Sequence, residues 1–310
     1  MEISQYIKNI SYTDEKIDVI LDTDAYNEID DQFAIAYMLA NHDKLNVKGI
    51  CAAPFFNPLS SSPCDGMEKS YNEILKLLSL MKLDSMKDIV FKGSDKYLEN
   101  ETTPTVSDAA SFMASLADKY SPEKPLYIVS IGAVTNVASA ILLNPKMMEN
   151  CVIVWLAGHG IHLPKGVHEF NMMQDIAAAR VIFGCGVPLV HLPAGGVVDV
   201  FTAGKYELQH FLHGKNELCD YLCDNVIATA DSYAEGKPWS RVIWDVVAIA
   251  WLLNKDSRFM SDMLIPAPIP EYDENYSEDK TRHLIRYVYE VRRDNLFTDL
   301  YQKLADWGKT

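Results

Sequence analysis

No apolar run in these 310 residues approaches the roughly 20 needed to cross a bilayer. Basic residues are scarce: 28 Lys and Arg face 43 Asp and Glu, a formal charge of -15. That balance argues against nucleic acid or an anionic membrane as partner, since both select basic patches. Solubility explains the charge on its own terms. The six cysteines form no CxxC pair; Cys219 and Cys223 stand at helical spacing. A disulfide framework and a zinc site are therefore not expected, and reduced structural thiols are. The opening Met-Glu-Ile-Ser-Gln lacks the basic-then-apolar pattern of a leader, so a cytoplasmic protein is expected. Internal repeats, low-complexity tracts and linkers are also absent. The expectation is a single domain over 1–310, with a C-terminal appendage from about 264 to 310.

Against these absences, 48% of the chain is hydrophobic, enough for a substantial core. Strand-like runs near 17–21, 47–52, 89–91, 126–130, 152–156 and 188–192 alternate with helical patterns. The helical patterns lie near 31–40, 68–81, 107–117, 135–143, 175–183, 208–233 and 246–253, with Ser107 and Asp175 as N-caps. Such alternation predicts an α/β fold: an open, mostly parallel, Rossmann-like sheet flanked by helices, with ligands bound beyond the carboxyl ends of the strands. Residues 283–291 alternate as a strand or hairpin arm, a candidate edge, before a terminal helix around 296–304.

The densest chemistry lies in Val19-Ile-Leu-Asp-Thr-Asp-Ala-Tyr-Asn-Glu-Ile-Asp-Asp31. A strand runs into Asp22 and Asp24, and Asp30 and Asp31 open a helix. Two carboxylates about 4 Å apart repel by roughly 4 kcal/mol at an effective dielectric of about 20. A helix N-terminus offsets up to about 1 kcal/mol of that and cannot neutralise four charges. Oxygen-rich clusters of this kind suit a hard divalent cation, Ca²⁺ or Mg²⁺. Three further segments carry polar groups at strand ends or helix starts: Ser130-Ile-Gly-Ala-Val-Thr-Asn136, His168-Glu-Phe-Asn171 through Asp175, and Arg241-Val-Ile-Trp-Asp245. Taken singly, an ordinary β-α turn, a capped helix start and an N-cap account for each of them.

Together, and in this order, the segments resemble the calcium-dependent nucleoside hydrolases, of inosine-uridine-preferring and purine-specific types. The family's Asp-x-Asp, Pro-Gly-x, Asp-Asp-x-x-Ala signature corresponds to Asp22-Thr-Asp24, a longer loop at residues 25–29, and Asp30-Asp31-Gln-Phe-Ala34. Its glycine turn corresponds to Gly132-Ala-Val-Thr-Asn136, and its late acid to Asp245. The resemblance implies Ca²⁺ held by Asp24, Asp31, Asp245 and the carbonyl of Ile131. It implies a calcium-bound water that loses its proton to Asp24 and attacks the anomeric carbon of a nucleoside. Asp30, Asn57, Glu169 and Asn171 would hold ribose hydroxyls, and Asp22 would support the loop. A homo-oligomer, dimer or tetramer, is the family expectation.

The chain departs from that pattern in three places. The Pro-Gly is replaced by the longer loop, which brings Tyr26 or Asn27 toward a ligand. The family's His-Gly flap is replaced by Gly93-Ser-Asp-Lys-Tyr97, and the asparagine before Glu-Phe-Asn is missing near Leu163-Pro-Lys165. Trp244 stands where pyrimidine-tolerant members carry a histidine acid; purine-specific members resemble this chain there and stack the base on tryptophan. His159, His162 and His168 are the candidate leaving-group acids. The expected activity is hydrolysis of ribonucleosides, purine preferred. Two alternatives remain: a calcium-dependent ribosyl-ligand binder without turnover, and a phosphatase of the haloacid-dehalogenase type using Asp22 and Asp24.

Overall fold

The structure is a computed structural model that describes every residue except Glu235 and Thr310. In chain order its strands are β1 (Ile17–Thr23), β2 (Leu45–Ala52), β3 (Val90–Lys92), β4 (Leu126–Ser130), β5 (Cys151–Leu156) and β6 (Leu189–Leu192). They continue with β7 (Thr202–Gly204), β8 (Ser240–Val242), β9 (Met260–Pro266), β10 (Ile269–Pro270), β11 (Tyr276–Ser277) and β12 (Leu284–Val291). Eight form one sheet in the order β3-β2-β1-β4-β5-β6-β12-β9. Every pairing in it is parallel except β12 with β9. Two small antiparallel pairs, β7 with β8 and β10 with β11, lie outside it.

Alternation along the central strands feeds two cores, one on each face. Val19, Leu21, Tyr127, Val129, Val152 and Val154 pack on one side. Ile20, Leu126, Ile128, Ile153 and Trp155 pack on the other. Helices Asp31–Ala40, Pro63–Leu80, Val246–Trp251 and Arg293–Asp306 cover the first face. Helices Asp108–Ala117, Thr135–Leu143 and Ile176–Gly184 cover the second. A parallel sheet covered this way is buried on both sides, which is why β4 and β5 read as near-continuous apolar runs. The two expected caps are formed: Ser107 Oγ accepts from Ala110 N at 3.1 Å, and Asp175 Oδ1 from Ala178 N at 2.9 Å.

Several elements differ from expectation, and the helix Ile3–Asn9 and the short strands β7, β8, β10 and β11 were not expected at all. The helix expected from residue 68 begins at Pro63, because Ser62 caps it and proline suits a first helical turn. The helix expected over 208–233 is two, Lys205–Phe211 and Glu217–Ala234, parted around Gly214 at φ +75°. The arm over 283–291 is β12, and it lies inside the sheet between β6 and β9 rather than at its edge. β9 itself was not expected; the polar Ser261 and Asp262 break its apolar pattern, and Asp262 is matched by Arg286 on β12 at 3.2 Å. No helix among the described residues is long and apolar enough to cross a membrane.

Candidate active site

β1 delivers both early aspartates to the carboxyl end of the sheet. Asp22 closes the strand ladder: its carbonyl accepts from Ile131 N at 2.9 Å. Its carboxylate accepts from Asn136 Nδ2 at 2.8 Å and Ser130 Oγ at 3.2 Å. Burial pushes its pKa up to about 7. Both oxygens are committed to neighbouring strands and turns, so Asp22 braces the site, as a supporting residue would. It is not presented as the free nucleophile that the phosphatase alternative needs.

Asp24 is the opposite case. It is fully buried, and neither carboxylate oxygen has a hydrogen-bond partner. Burial, then the charges of Asp31, Asp30 and Asp22, drive its pKa well up. Unpaired buried charge of this kind is costly unless something compensates it. Nearby, ligand oxygens of Asp30, Asp31 and Asp245 lie within 4.8 Å of one another, all three buried. Asp31 accepts from Thr23 Oγ1 at 2.6 Å, which orients it. Asp245 occupies the N-cap position of helix Val246–Trp251, yet its side chain makes no capping bond. The cap reading of Asp245 is therefore not realised; its carboxylate faces the cluster. Burial raises Asp30, Asp31 and Asp245 as well, Asp31 to about 7. A donor set of hard oxygens with an orphaned carboxylate fits a divalent cation. Asp30, expected as a hydroxyl acceptor, sits with the metal-type carboxylates.

A cavity of about 290 Å³ opens onto Asp30, Asp31 and Asp245, and Asn57, Glu169, Asn171, Ile131 and Trp244 also line it. The expected residues are thus brought to one place, Asp24 being fully buried beside them. Asn171 is fixed by its amide, which donates to the carbonyls of Ile131 and Leu156, both at 3.1 Å. Its Oδ1 has no partner of its own among these bonds. Glu169 is the N-cap of helix Phe170–Gln174, its carboxylate accepting from Gly158, Asn171 and Met172 N–H groups. Burial takes its pKa up to about 7. Asn57 donates to Asn27 Oδ1 at 2.6 Å, tying two loops at the mouth.

The histidines separate clearly. His168 is exposed and pairs with Glu274 at 2.9 Å, and His162 is exposed too. Only His159 of the three lines the cavity. Several residues went unremarked in the sequence or were passed over for a site role. Glu28, from the longer loop, lines the cavity and is paired with Arg241 at 2.6 Å. Asn27 lines it as expected, whereas Tyr26 is largely exposed. Tyr97, from the segment that replaces the flap, is raised by burial and by the charges of Asp24 and Asp175, and donates to Gln174. The one available signal for Glu28 and Arg241 was opposite charge beside the two acidic motifs.

Comparison with known proteins supplies the remaining constraint. The model of the family described as inosine-uridine preferring nucleoside hydrolase matches residues 19–295. The pyrimidine-specific ribonucleoside hydrolase RihA of Salmonella paratyphi A is 24% identical over 263 residues, covering 77% of this chain and 80% of its own. Among solved structures, a purine-preferring ribonucleoside hydrolase from Gardnerella vaginalis has a TM-score of 0.71 at 18% identity, over 94% of this chain and 99% of that one. A plant nucleoside hydrolase, PpNRh1, also reaches 0.71, at 17% identity and the same coverage. With the family match spanning the acidic cluster, the cavity and most of the sheet, the chain belongs to the inosine-uridine preferring nucleoside hydrolase family and is a ribonucleoside hydrolase.

Proposed function

We propose that the protein hydrolyses the N-glycosidic bond of ribonucleosides, purines preferred, to ribose and free base, with Ca²⁺ as its metal. The observation that carries this reading is Asp24: a buried carboxylate with both oxygens unpartnered, beside a cluster of three more. Asp24, Asp31, Asp245 and the Ile131 carbonyl would hold the ion, with Asp30 adjoining them. Bound there, calcium would supply positive charge that acidifies a water and anchors ribose hydroxyls.

The chain's own groups do the rest. Asp24 takes the proton of the attacking water, the role that its buried and unpartnered carboxylate leaves open to it. Asn171 Oδ1 and Asn57 face hydroxyl groups of the sugar. The carboxylates around the cavity stabilise the positive charge that develops on the ribosyl ring as the C–N bond lengthens. Trp244 offers an indole on the cavity wall, a platform for a two-ring base. That platform supports the purine preference, although the name of the 24%-identical relative points to pyrimidines. Cytoplasmic location and a homo-oligomer complete the proposal.

The test is a ribose-release assay with added Ca²⁺ on inosine, adenosine, guanosine, uridine and cytidine. Purines release ribose fastest, and Asp24→Asn lowers kcat at least about 1,000-fold while the protein stays folded. Ribose from uridine and cytidine alone overturns the purine preference. No ribose from any substrate, with Ca²⁺ bound, leaves a ribosyl-ligand binder as the reading.

A further inference from the structure

We infer that Gln174 is a positioning residue: its side-chain carbonyl sets the Phe56–Asn57 turn and, through it, holds Asn57 against Asn27 on the cavity wall. This rests on the ribonucleoside-hydrolase reading above, in which Asn57 meets the sugar, and adds the residue that places Asn57 there.

The mount is rigid. Gln174 ends the short helix Phe170–Gln174, which also carries Asn171. The next residue, Asp175, is buried and accepts from Ala178 N at 2.9 Å, Thr135 Oγ1 at 2.7 Å and Leu98 N at 2.9 Å. The backbone at Gln174 is therefore fixed to the helix that Asp175 caps, to the start of helix Thr135–Leu143 and to the segment that carries Tyr97.

The amide has one orientation. A backbone N–H can only donate, so the oxygen faces Phe56. Oε1 accepts from Phe56 N at 2.7 Å and from Tyr97 OH. Nε2 is buried and has no partner among the described residues. The carbonyl is thus the bonding end of this side chain, and it joins the loops that follow β2 and β3.

The turn depends on that tie. Phe55 is buried, but the Phe56 ring is largely exposed and gives the turn no anchor of its own. Ser60 N donates to Asn57 O at 3.0 Å, and Ser60 Oγ to Phe55 O at 3.1 Å. Those bonds set the shape of the turn, not its place. Its place is set by Gln174 on one side, by Asn27 on the other, and by Lys69 Nζ, which donates to Leu59 O at 2.7 Å. Asn57 Nδ2 donates to Asn27 Oδ1 at 2.6 Å, and Asn27 N donates to Asp24 O at 2.7 Å. The circuit runs from the helix that bears Asn171, along the cavity mouth, to the backbone of Asp24.

The kind of effect follows from exposure. The bond from Phe56 to Gln174 lies at the surface, so water replaces it when the carbonyl is removed and stability changes little. What is lost is the placement of Phe56, and with it that of the adjacent Asn57. A group that holds the sugar equally in the ground and transition states shows in KM and not in kcat.

The experiment is a double-mutant cycle, read as ribose release with added Ca²⁺ from inosine or from the nucleoside that wild type cleaves best. Gln174→Met keeps the length of the side chain without its carbonyl. Asn57→Ala and the double variant complete the cycle, each checked by thermal melting. Gln174→Met raises KM about ten-fold, with kcat within about two-fold of wild type. The double variant has the KM of Asn57→Ala alone, because Gln174 acts through Asn57. An unchanged KM in Gln174→Met, a matching fall in kcat, or KM effects that multiply in the double variant overturn the inference and leave the hydrolase reading intact. Asn57→Ala with an unchanged KM overturns the inference together with the place of Asn57 at the sugar. If Gln174→Met does not fold, Gln174→Ala enters the same cycle. Wild type that releases ribose from no nucleoside overturns the hydrolase reading, and this inference with it.

Discussion

Gly132 shows how closely the site is built. A Cβ there would stand 2.8 Å from Asp24 Oδ1, closer than real contacts allow, and 3.2 Å from the Ala53 Cβ, a tight contact. Asp24 has no hydrogen bond to hold its carboxylate against such a push. Gly132→Ala is therefore expected to keep the fold yet lower kcat/KM by about 100-fold, since a shift near 1 Å at a reacting group costs that much. Steady-state kinetics beside a melting curve check it; an active variant means that Asp24 tolerates displacement. At this scale the sequence was informative about residue types and poor about partners. The four aspartates and the glycine turn were visible; the close approach at Gly132 was not. That the approach is to Asp24, more than a hundred positions earlier, depends on β1 lying beside β4. Glu169 was visible both as an acceptor and as part of a capped helix start, and it is the cap of Phe170–Gln174.

At the scale of elements, the longer loop at residues 25–29 is the part that sets this chain apart from the family pattern. It is tied down on three sides. Asn27 receives a bond from Asn57, Gln32 Nε2 donates to Ala25 O at 2.7 Å, and Glu28 pairs with Arg241 at 2.6 Å. Glu28 and Asn27 both reach the cavity, so the loop forms part of its wall. Arg241→Gln releases Glu28 and is expected to raise KM by about ten-fold with a small change in melting temperature, because the cavity wall loosens while the core is untouched. A large drop in melting temperature with unchanged KM would assign the pair to stability instead. Strands β1 to β6 were legible because buried parallel strands are written as apolar runs. β9 was not, since its Asp262 and Ser261 are satisfied by residues that only the fold brings near. The site's cation partner was illegible for the same reason: Glu28 and Arg241 meet through loop geometry, not spacing.

Over the whole molecule, the cluster couples metal, protons and stability. Asp22, Asp31 and Glu169 have folded pKa values raised to about 7, and Asp24, Asp30 and Asp245 are raised too. A carboxyl raised on folding binds its proton more tightly in the native state. Its stabilising contribution is present below the unfolded pKa, about 4, and is lost as pH rises through the folded value. Metal-free protein should therefore lose this contribution between about pH 4 and pH 7. A cation that replaces those protons binds better as pH rises. Calorimetry with chelator and with Ca²⁺ should show a larger calcium-induced rise in melting temperature at about pH 8 than at about pH 5. An equal rise at both values would place the ion away from these carboxylates.

The insertion of β12 between β6 and β9 also gives this fold a schedule. β6 gains its outer neighbour only once residues 284–291 have been made. The N-terminal helix Ile3–Asn9, already bonded to Pro122 through Gln5 and Asn9, gains its last ties at the same event: Tyr6 OH donates to Leu284 O at 2.7 Å, and Arg286 Nε donates to Ile10 O at 2.8 Å. From the making of Leu189–Leu192 until residue 284 the growing chain thus carries that strand as an open parallel edge. Such an unpaired edge is where a nascent chain is exposed to wrong partners. The late arrival of one strand covers that edge and completes the hold on the earliest residues.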